Sequence, residues 1–493
     1  MEKFFNYING EWKESTTGER FENRNPANWD EIVGTFPRSD ANDVDEAVKS
    51  ARSAFNDWRL MPAPKRGEIL KRVGDIMVER KEEIARLMTR EMGKILDETR
   101  GDVQEGIDTA YYAATEGRRL FGHTAPSEMP NKMNISFRMP VGVAGVITPW
   151  NFPMAIPTWK IFPALICGNP VVFKAASDTP ATATRLVEIL LEAGIPPNVI
   201  NIVHGTGSGV GTPLVTHPDI DLISFTGSTG VGKVINAEAG RELKRVSLEL
   251  GGKNAQIVMD DANQELAIEG VLWGAFGTTG QRCTATSRLI LHEKIFDEFM
   301  AKLIDRAQNL KLGSGLDESV NVGPLVNEGQ RETVEKYVEI GNNEAKLVCG
   351  GERATGGGLD SGFFYKPTIF TEVTPDMRLA QEEIFGPVLS VIRISSLDEA
   401  IDVLNGTVYG LSSSIYTNDV NGAFKAIRDI EAGITYINGP TIGAEAHMPF
   451  GGVKETGNGH REGGWEVYDF YTETKVVYVD FSGKLQRAQI DNY

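Results

Sequence analysis

The sequence is poor in the residues that several classes of protein require. Its 493 residues include only three cysteines and six histidines. Three cysteines that lie far apart in the chain cannot form a disulfide framework, which indicates a reducing compartment. The histidines are scattered without the spacing of metal ligands, so we expect no metal site.

Long apolar runs and an excess of basic residues are also absent. No apolar stretch approaches the ~20 residues that span a bilayer, and the first residues, MEKFFNYINGEWKES, lack the pattern of a signal peptide. The formal net charge is −18, whereas nucleic acids and anionic membranes bind basic surfaces. We therefore expect a cytoplasmic protein with neither nucleic acid nor membrane as a partner.

What the sequence does contain is a regular alternation of strand and helix patterns. After helical periodicity over residues 42–120, short β-branched runs such as VGVAGVIT and DLISFTG alternate with helical stretches from Val141 onwards. This alternation is typical of parallel sheets that are covered on both faces, and nucleotides bind at the carboxyl ends of such strands. We expect an α/β fold with two or three domains.

Two segments stand outside this alternation. Residues 121–140 interrupt the helical pattern and could form a hairpin that leaves its domain. The C-terminal stretch ETKVVYVDFSG predicts a strand without a local partner. This strand could pack on its own domain, pair with the 121–140 segment or pair with another subunit.

Cys283 lies in GTTGQRCTATSR, a polar turn that begins with glycine, whereas Cys167 and Cys349 end apolar runs. On this stretch alone an incidental, partly buried cysteine is the simpler interpretation. A reactive thiol needs a base within reach and a partner for the charge that it creates. The role of Cys283 therefore depends on what surrounds it.

Two stretches are typical of nucleotide sites. SFTGSTGVGK joins a strand to a helix through a glycine turn, where free N–H groups could bind a phosphate. VVFKAASDTP ends a strand with Lys174, which could contact a ribose or a phosphate. Neither stretch is the standard dinucleotide fingerprint, and an ordinary surface turn and a solvent-facing lysine are the alternatives.

Two further stretches offer groups for catalysis. SLELGGKN places Glu249 between leucines, and apolar surroundings raise the pKa of a carboxyl group toward neutrality. TPWNFP places the amide of Asn151 at a strand end, where it could donate to an oxyanion. The alternatives are a glutamate on the solvent face of an edge strand and an asparagine that caps a helix.

The motifs PWNFP, FTGST, ELGGKN, GQRC, EEIFGP and MPFGGVKETG occur in the order typical of the aldehyde dehydrogenase superfamily. The chain resembles this superfamily over almost its whole length. The resemblance implies a Rossmann-like cofactor domain, a catalytic α/β domain, a small β oligomerisation domain that reaches another subunit, and a homodimer or homotetramer. In chain numbers, we expect the cofactor domain over 1–120 and 141–248, the catalytic domain over 249–440, the oligomerisation domain over 121–140 and 465–493, and a bridging, substrate-side segment over 441–464.

The resemblance also implies a role for each motif residue. Cys283 would attack the aldehyde to give a thiohemiacetal, while Asn151 and a backbone N–H hold the oxyanion. Loss of hydride to a nicotinamide cofactor would leave a thioester, and Glu249 would activate the water that hydrolyses it. The implied cofactor contacts are Thr148, Pro149, Trp150, Lys174, Ser177, Gly207, Phe225, Gly227, Ser228, Gly232, Leu250, Gly251, Glu383 and Phe385.

One departure from the family pattern concerns the cofactor. NAD-preferring members of the superfamily often carry a glutamate at the position of Ser177, where it would bind the ribose 2′-hydroxyl. An acid there repels a 2′-phosphate, whereas a serine can donate a hydrogen bond to it. We therefore expect NADP or NAD as the cofactor and favour the acceptance of NADP, although Asp178 is an acid next door.

A second departure concerns the substrate. Several semialdehyde-oxidising relatives carry an arginine where this chain has Gly277, and Arg282 could serve instead. GTTGQRCT resembles the α-aminoadipic semialdehyde branch, and GQRCTATSR equally resembles the α-ketoglutaric semialdehyde branch. The expected substrate contacts are Met154, Trp159, Arg282, Thr284, His447 and Phe450.

These residues favour a small polar aldehyde or semialdehyde, oxidised to the carboxylic acid. Three alternatives stay open. Apolar side chains in the substrate tunnel would suit a broad-range aldehyde dehydrogenase for aliphatic or aromatic substrates. A coenzyme-A-acylating enzyme would not need Glu249 to activate water, and a member without activity would not need Cys283, so both are disfavoured.

Overall fold

The computed structural model describes residues 2–491 and shows an α/β protein. The strands are β1 (Glu2–Lys3), β2 (Asn6–Ile8), β3 (Glu11–Lys13), β4 (Arg20–Asn25), β5 (Asn28–Pro37), β6 (Thr124–Pro126), β7 (Lys132–Pro140), β8 (Ala144–Ile147), β9 (Val171–Lys174), β10 (Ile200–Ile202), β11 (Leu222–Thr226), β12 (Arg245–Glu249), β13 (Ala255–Val258), β14 (Arg288–His292), β15 (Lys346–Cys349), β16 (Thr368–Thr371), β17 (Val388–Ile394), β18 (Tyr409–Gly410), β19 (Ser412–Tyr416), β20 (Ile434–Ile437), β21 (Val453–Lys454) and β22 (Thr472–Asp480). The helices are α1 (Ala41–Leu60), α2 (Ala63–Glu79), α3 (Lys81–Met92), α4 (Leu96–Glu116), α5 (Ala155–Cys167), α6 (Pro180–Glu192), α7 (Thr212–Thr216), α8 (Thr229–Arg241), α9 (Gln264–Phe276), α10 (Phe296–Gln308), α11 (Glu328–Glu344), α12 (Arg378–Gln381), α13 (Leu397–Asn405), α14 (Val420–Asp429) and α15 (Val467–Phe470).

The first large sheet is built from the N-terminal half of the chain, with strand order β12-β11-β8-β9-β10-β2-β3. Strands β8 to β12 are parallel, whereas β2 and β3 join one edge in antiparallel pairing. Every side chain of β8 and β9 is buried. One face packs against α2, α4, α5 and α6, and the other packs against α1, α7 and α8, which explains why these strands are apolar throughout.

The second large sheet has the order β15-β16-β17-β14-β13-β19-β20. All its strands are parallel except β15, which pairs antiparallel with β16 at one edge. Helices α9 and α10 cover one face, and α11, α13 and α14 contribute to the core on the other. The stretch LGGKN between β12 and β13 carries the chain directly from the first sheet to the second.

A third, antiparallel sheet has the order β22-β7-β6 and joins distant parts of the chain. Strand β22 pairs with β7 from Thr472↔Pro140 to Asp480↔Lys132. Large apolar side chains of this sheet, Phe137, Val476 and Tyr478 among them, are exposed. Two small sheets, β1-β5-β4 and β18-β21, complete the fold, and none of the described helices is long and apolar enough to cross a bilayer.

Candidate active site

Cys283 lies in the loop between α9 and β14, directly after a tight turn at Gly277–Gly280. Thr278, Thr279 and Gly280 have left-handed φ values of 52°, 57° and 70°. This conformation costs about 1–2 kcal/mol for a residue other than glycine. Two threonines in succession therefore make the turn before the thiol a strained segment, which only tertiary contacts can maintain.

Contacts with distant parts of the chain hold this turn. The backbone N–H of Thr278 donates a hydrogen bond to Glu98 Oε1 at 2.5 Å. A Cβ atom at Gly280 would lie 2.1 Å from the carbonyl oxygen of Gly386. Glycine is thus required at this position both for its positive φ and for the close approach of the two backbones.

Two asparagine amides fix the loop around the thiol. Asn254 Nδ2 donates to the carbonyl oxygens of Cys283 at 2.7 Å and of Ala285 at 3.0 Å. Asn151 Nδ2 donates to the carbonyl oxygen of Gln281 at 3.1 Å. Because an amide nitrogen carries two N–H groups, Asn151 keeps a second donor for an oxygen atom held beside Cys283.

Glu249 ends β12 and is 3 % exposed. Neither of its carboxyl oxygens has a hydrogen-bond partner within the part of the chain that the structure describes, and a Cβ atom at Gly451 would lie 2.5 Å from Oε1. Burial raises the pKa of Glu249 well above the ordinary value of a glutamate, and the charge of Glu462 raises it further. A carboxylate with a raised pKa and free oxygens is a stronger proton acceptor than an ordinary glutamate.

A buried ion pair lies near Glu249. Lys160 Nζ is 2.6 Å from Glu462 Oε1, and the side chains are 0 % and 1 % exposed. The hydroxyl groups of Ser224 and Ser247 also donate to Glu462, at 3.2 Å and 3.4 Å. The positive charge of Lys160 partly opposes the rise in the pKa of Glu249, so the pair tunes the carboxyl that it neighbours.

The thiol of Cys283 is protonated in this environment. Burial and, to a lesser extent, the charges of Glu383 and Glu249 together raise the pKa of Cys283 to about 12, against the opposing effect of the backbone N–H groups of Thr284 and Cys283. The thiol therefore needs a base before it can act as a nucleophile. Glu249 and Cys283 border the same cavity, so the carboxyl that can accept the proton is at hand.

A large cleft opens at the carboxyl ends of β8, β9 and β11, with a volume of about 820 Å³. Helix α8 begins at this cleft, and its N-cap residue, Ser228, makes no side-chain capping hydrogen bond. The first N–H groups of such a helix are available to an anion. The predicted cofactor residues that line this cleft are Thr148, Pro149, Trp150, Lys174, Ser177, Gly207, Phe225, Gly227 and Ser228.

The cleft continues as a narrower cavity of about 280 Å³ that reaches Cys283. Trp150, Leu250, Gly251, Glu383 and Phe385 line this part, together with Asn151. Burial raises the pKa of Glu383 to about 7, while the backbone N–H of Gly252 donates to its Oε1 at 3.0 Å and opposes the rise.

Helix α11 fixes the loop that carries Phe385. Phe385 has a φ of 59° and packs edge-on against Trp150, with ring centroids 5.4 Å apart. Gln330 Nε2 donates to the carbonyl oxygens of Ile384 at 3.0 Å and of Phe385 at 2.9 Å. The left-handed loop is thereby tied to the first turn of α11.

The same helix end also contacts the wide part of the cleft. Asn327 caps α11, and its Oδ1 accepts a hydrogen bond from the backbone N–H of Gln330 at 2.9 Å. Asn327 Nδ2 donates to Asp178 Oδ1 at 2.8 Å. Asp178 borders the wide cleft beside Lys174 and Ser177, and burial raises the pKa of Asp178.

On the other side of Cys283 lies a smaller cavity of about 90 Å³, which we call the inner cavity. Its apolar walls are Phe152, Ile156, Trp159, Leu411 and Phe450, and its polar groups include Glu105, Glu249, Arg282 and Thr284. A cavity with apolar walls and a few convergent polar groups is typical of a site for a small molecule.

Arg282 and Glu105 supply charge at this cavity. The Arg282 guanidinium packs between the rings of Phe152, at 5.4 Å, and Trp273, at 4.8 Å. It is also 3.2 Å from Glu98 Oε1, so its charge is partly compensated. Glu105 Oε1 is buried without a hydrogen-bond partner among residues 2–491. Burial and the charge of Asp102 together raise the pKa of Glu105 to about 8.

Comparison with known proteins is consistent with this site. The sequence model of the aldehyde dehydrogenase family matches residues 12–477 of the chain. The chain belongs to the aldehyde dehydrogenase family. It is 45% identical to the alpha-ketoglutarate semialdehyde dehydrogenase of Haloferax volcanii over 96% of this chain and 98% of that protein. It is 43% identical to the alpha-ketoglutaric semialdehyde dehydrogenase of Bacillus subtilis over 97% of this chain and 98% of that protein. A solved structure of betaine aldehyde dehydrogenase from Staphylococcus aureus, in complex with NAD+, is similar with a TM-score of 0.95 and 35% identity, covering 98% of this chain and 95% of that one.

These comparisons confirm the predicted family, the α/β fold class and the reaction class. The protein is an aldehyde dehydrogenase, an enzyme that oxidises an aldehyde to the carboxylic acid with a nicotinamide cofactor as the hydride acceptor.

In the structure of this aldehyde dehydrogenase, three of the predicted site residues do not line the cleft or the cavities that meet at Cys283. Met154, expected in the substrate tunnel, is fully buried in the core around α5. His447, expected at the substrate, is exposed and borders an open pocket that we call the outer vestibule, whose wall also contains Glu105 and Glu445. Gly232, expected at the cofactor, packs under Leu250, where a Cβ atom would lie 2.4 Å from Cδ2. Apolar, polar and glycine residues of these kinds occur in cores and vestibules as readily as in sites, so residue type alone could not separate them.

Sequence reasoning missed several residues that shape the site. Asn254 and Gln330 hold the two loops, and Glu105 borders both the inner cavity and the outer vestibule. Asn254 belongs to the ELGGKN motif, which is the one signal that could have pointed to it. Gln330 and Glu105 lie on helices with ordinary amphipathic patterns, where a polar residue indicates a solvent-facing position.

Proposed function

We propose that this aldehyde dehydrogenase oxidises a small polar semialdehyde through a thioester on Cys283, and that it accepts NADP as well as NAD. One observation carries the proposal. Cys283 lies where the narrow continuation of the wide cleft meets the smaller cavity of about 90 Å³, and Glu249 borders that smaller cavity with free carboxyl oxygens. A nucleophile, a base and two separate binding spaces are what a two-substrate oxidation requires.

The first step is nucleophilic addition. Glu249 takes the proton of the Cys283 thiol, and the sulfur attacks the aldehyde carbon to form a thiohemiacetal. The free N–H of Asn151 donates to the oxygen that becomes negative, because this amide is already oriented by its bond to Gln281. The Thr278–Gly280 turn presents the thiol to both spaces, and the tertiary contacts that maintain its strained conformation keep the loop from relaxing.

A nicotinamide cofactor, when bound, supplies the acceptor for the hydride that leaves the thiohemiacetal carbon. Glu249 first releases the thiol proton to solvent and then removes a proton from water, whose oxygen attacks the thioester carbonyl; the C–S bond breaks and Glu249 returns that proton to the sulfur. Gly451 has no side chain to fill the space beside Glu249 Oε1. This space supports a role of Glu249 toward water rather than toward a bulky thiol such as coenzyme A.

Several features of the wide cleft fit a dinucleotide. Its volume of about 820 Å³ lies within the usual range for ligand sites, and the open N-terminus of α8 suits a pyrophosphate. The Staphylococcus aureus relative was solved with NAD+. Ser177 borders the cleft, and the absence of a negative charge on this side chain supports acceptance of a 2′-phosphate.

The substrate class is proposed from Arg282 and from the named relatives. Arg282 borders the inner cavity, and a planar guanidinium binds a carboxylate through two parallel hydrogen bonds. The Haloferax and Bacillus relatives are both α-ketoglutaric semialdehyde dehydrogenases by name. A broad-range aldehyde dehydrogenase is the second candidate, because Phe152, Trp159 and Phe450 make most of the cavity wall apolar.

We also propose that the first sheet forms a cofactor domain over 1–120 and 141–248, the second a catalytic domain over 249–440, and the third an oligomerisation domain over 121–140 and 465–491. The predicted end of the last segment, 492–493, lies outside the described residues. The exposed apolar side chains of the third sheet support a homo-oligomer. The three cysteines are unpaired, which supports the cytoplasm as the compartment.

The absorbance of reduced nicotinamide tests the proposal. Glyceraldehyde, succinic semialdehyde, α-ketoglutaric semialdehyde, hexanal and benzaldehyde are each supplied with NAD or NADP, with and without coenzyme A. We expect the highest kcat/KM for the semialdehydes, turnover with NADP, and a free acid as the product in all cases. Cys283→Ala should lower kcat by at least about 10³-fold, whereas the matched Cys349→Ala, which removes a buried thiol far from the site, should retain turnover.

Each other result has a distinct meaning. A preference for hexanal or benzaldehyde would replace the semialdehyde by the broad-range candidate. An acyl-coenzyme-A product would overturn the role of Glu249 in activating water. Turnover with NAD alone would overturn the acceptance of NADP, and a folded protein inactive on every substrate would overturn the mechanism.

A further inference from the structure

The corner of the wide cleft formed by Lys174, Ser177 and Asp178 contains an acid whose side chain is already engaged. Asp178 Oδ1 accepts a hydrogen bond from Asn327 Nδ2 at 2.8 Å. The backbone of Asp178 is fixed separately, because its carbonyl oxygen accepts a hydrogen bond from Asn23 Nδ2 at 2.7 Å. The direction in which this carboxyl points therefore depends on its own side-chain torsions and on Asn327.

The amide of Asn327 is itself oriented from the other side. Its Oδ1 caps α11 by accepting the backbone N–H of Gln330 at 2.9 Å. The amide nitrogen must then face away from the helix, toward Asp178. One side chain thus satisfies the helix end with its oxygen and, with its nitrogen, holds an acid in the loop that follows β9.

The position of this carboxyl matters for the ligand that the corner can bind. A carboxylate that faces a ribose accepts a hydrogen bond from a 2′-hydroxyl and repels a 2′-phosphate, because like charges at close range are strongly unfavourable. Ser177 adds no charge there, and Lys174 is the cation at the same corner. The orientation of the Asp178 carboxyl consequently decides whether this corner favours a ribose 2′-hydroxyl or a 2′-phosphate.

We propose that Asn327 is a specificity-determining, positioning residue for the cofactor. Its amide draws the Asp178 carboxyl toward α11 and away from the ribose 2′ position, which leaves Lys174 and Ser177 to face a 2′-phosphate. The inference rests on the proposed acceptance of NADP and names the residue that makes it possible.

Calorimetric titration with two adenosine nucleotides tests the inference without an aldehyde. Adenosine 2′,5′-bisphosphate carries the 2′-phosphate, and adenosine 5′-monophosphate lacks it. Asn327→Ser keeps a side-chain oxygen that can cap α11 but has no amide to reach Asp178. We expect the ratio of the bisphosphate Kd to the monophosphate Kd to rise about tenfold in this variant.

Two further variants separate positioning from a general structural effect. Asp178→Asn, added to Asn327→Ser, removes the released charge and should return the ratio to its wild-type value. Asn263→Ser makes the same exchange at the cap of α9, where Asn263 Oδ1 accepts from the backbone N–H of Leu266 at 3.2 Å. We expect no change in the ratio for this control.

An unchanged ratio in Asn327→Ser, equal weakening of both nucleotides, or a ratio that Asp178→Asn does not restore would overturn the inference. Failure of the proposed cofactor is a separate result. A wild type that turns over only NAD, yet shows the expected change of ratio in Asn327→Ser, would contradict the acceptance of NADP while the role of Asn327 stands.

Discussion

At the scale of single residues, the charges around the inner cavity are nearly balanced. Arg282 forms an ion pair with Glu98, and the aromatic rings of Phe152 and Trp273, which pack against its guanidinium group, shield it from solvent. Glu105 adds a carboxyl group whose buried oxygen has no partner in the protein. The protonation of Glu105 therefore sets the net charge that a carboxylate-bearing substrate meets.

This balance predicts a pH dependence that is specific to acidic substrates. Because burial raises the pKa of Glu105 to about 8, the group is neutral below that pH and can donate to a substrate carboxylate. Above about 8 it is negative and repels the same carboxylate. We expect kcat/KM for succinic semialdehyde to fall as the pH rises through this range, in profiles measured beside those for hexanal.

The control for this prediction is Glu105→Gln, which keeps a donor at every pH. The step for succinic semialdehyde should disappear in this variant, and hexanal should show no such step in either protein. If hexanal shows the same step, the titration belongs to the reacting groups and not to Glu105.

At the scale of elements, the site depends on the contact between two loops. The turn at Gly277–Gly280 precedes the nucleophile, and the loop that ends at Gly386 carries Phe385. These backbones touch where Gly280 faces Gly386. Because Gly280 has no Cβ atom, the two backbones can touch, and this close approach fixes how far the thiol of Cys283 lies from the ring of Phe385.

Gly280→Ala should separate these loops. Gly280 has a φ of 70° and no space for a Cβ atom, whereas Gly356 has a φ of 76° and nothing within 4 Å of the same atom. We expect Gly356→Ala to lose about 1–2 kcal/mol from its left-handed backbone alone. Gly280→Ala should lose a further ~1–3 kcal/mol through overlap and most of its kcat, measured by thermal unfolding and steady-state kinetics. Equal effects of the two substitutions would show that the contact with Gly386 is unimportant.

The elements were the most predictable part of the molecule. Runs such as VGVAGVIT and VVFK are local signals, and the structure has β8 and β9 within them. The hydrogen bonds that hold the site are not local: Asn254 reaches Cys283 across 29 residues, and Asn327 reaches Asp178 across 149. Left-handed Thr278 and Thr279 were equally hidden, because a β-branched residue ordinarily avoids that conformation.

At the scale of the whole molecule, the third sheet carries large apolar side chains on both faces that residues 2–491 leave exposed. Val476 and Tyr478 of β22 are 54% and 65% exposed on one face, and Phe137 of β7, which pairs with Lys475, is 48% exposed on the other. A strand edge and apolar side chains exposed together are typical of a surface that associates with another chain.

We expect Val476→Asp to weaken this association. A carboxylate in the middle of the edge strand β22 would have to be desolvated in an interface, which is strongly unfavourable. Light scattering after size-exclusion chromatography should show a smaller mass than for the wild type. Val78→Asp is the matched control, because Val78 is 52% exposed on α2, away from the sheet. An unchanged mass for Val476→Asp would place the interface elsewhere.

The pairing of β7 with β22 also has a consequence for biosynthesis. Arg138 and Thr472, which are hydrogen-bonded in the finished sheet, lie 334 residues apart. At a translation rate of about 5–20 residues per second, β7 leaves the ribosome on the order of tens of seconds before its partner is made. During that interval the edge of β7 is unpaired and its apolar side chains are exposed. Unpaired strand edges and exposed apolar surface of this kind are the features that make a nascent chain depend on chaperones. A polypeptide released by premature termination before β22 keeps the edge of β7 unpaired permanently. Chains truncated before this strand should therefore be more prone to aggregate than the full-length enzyme.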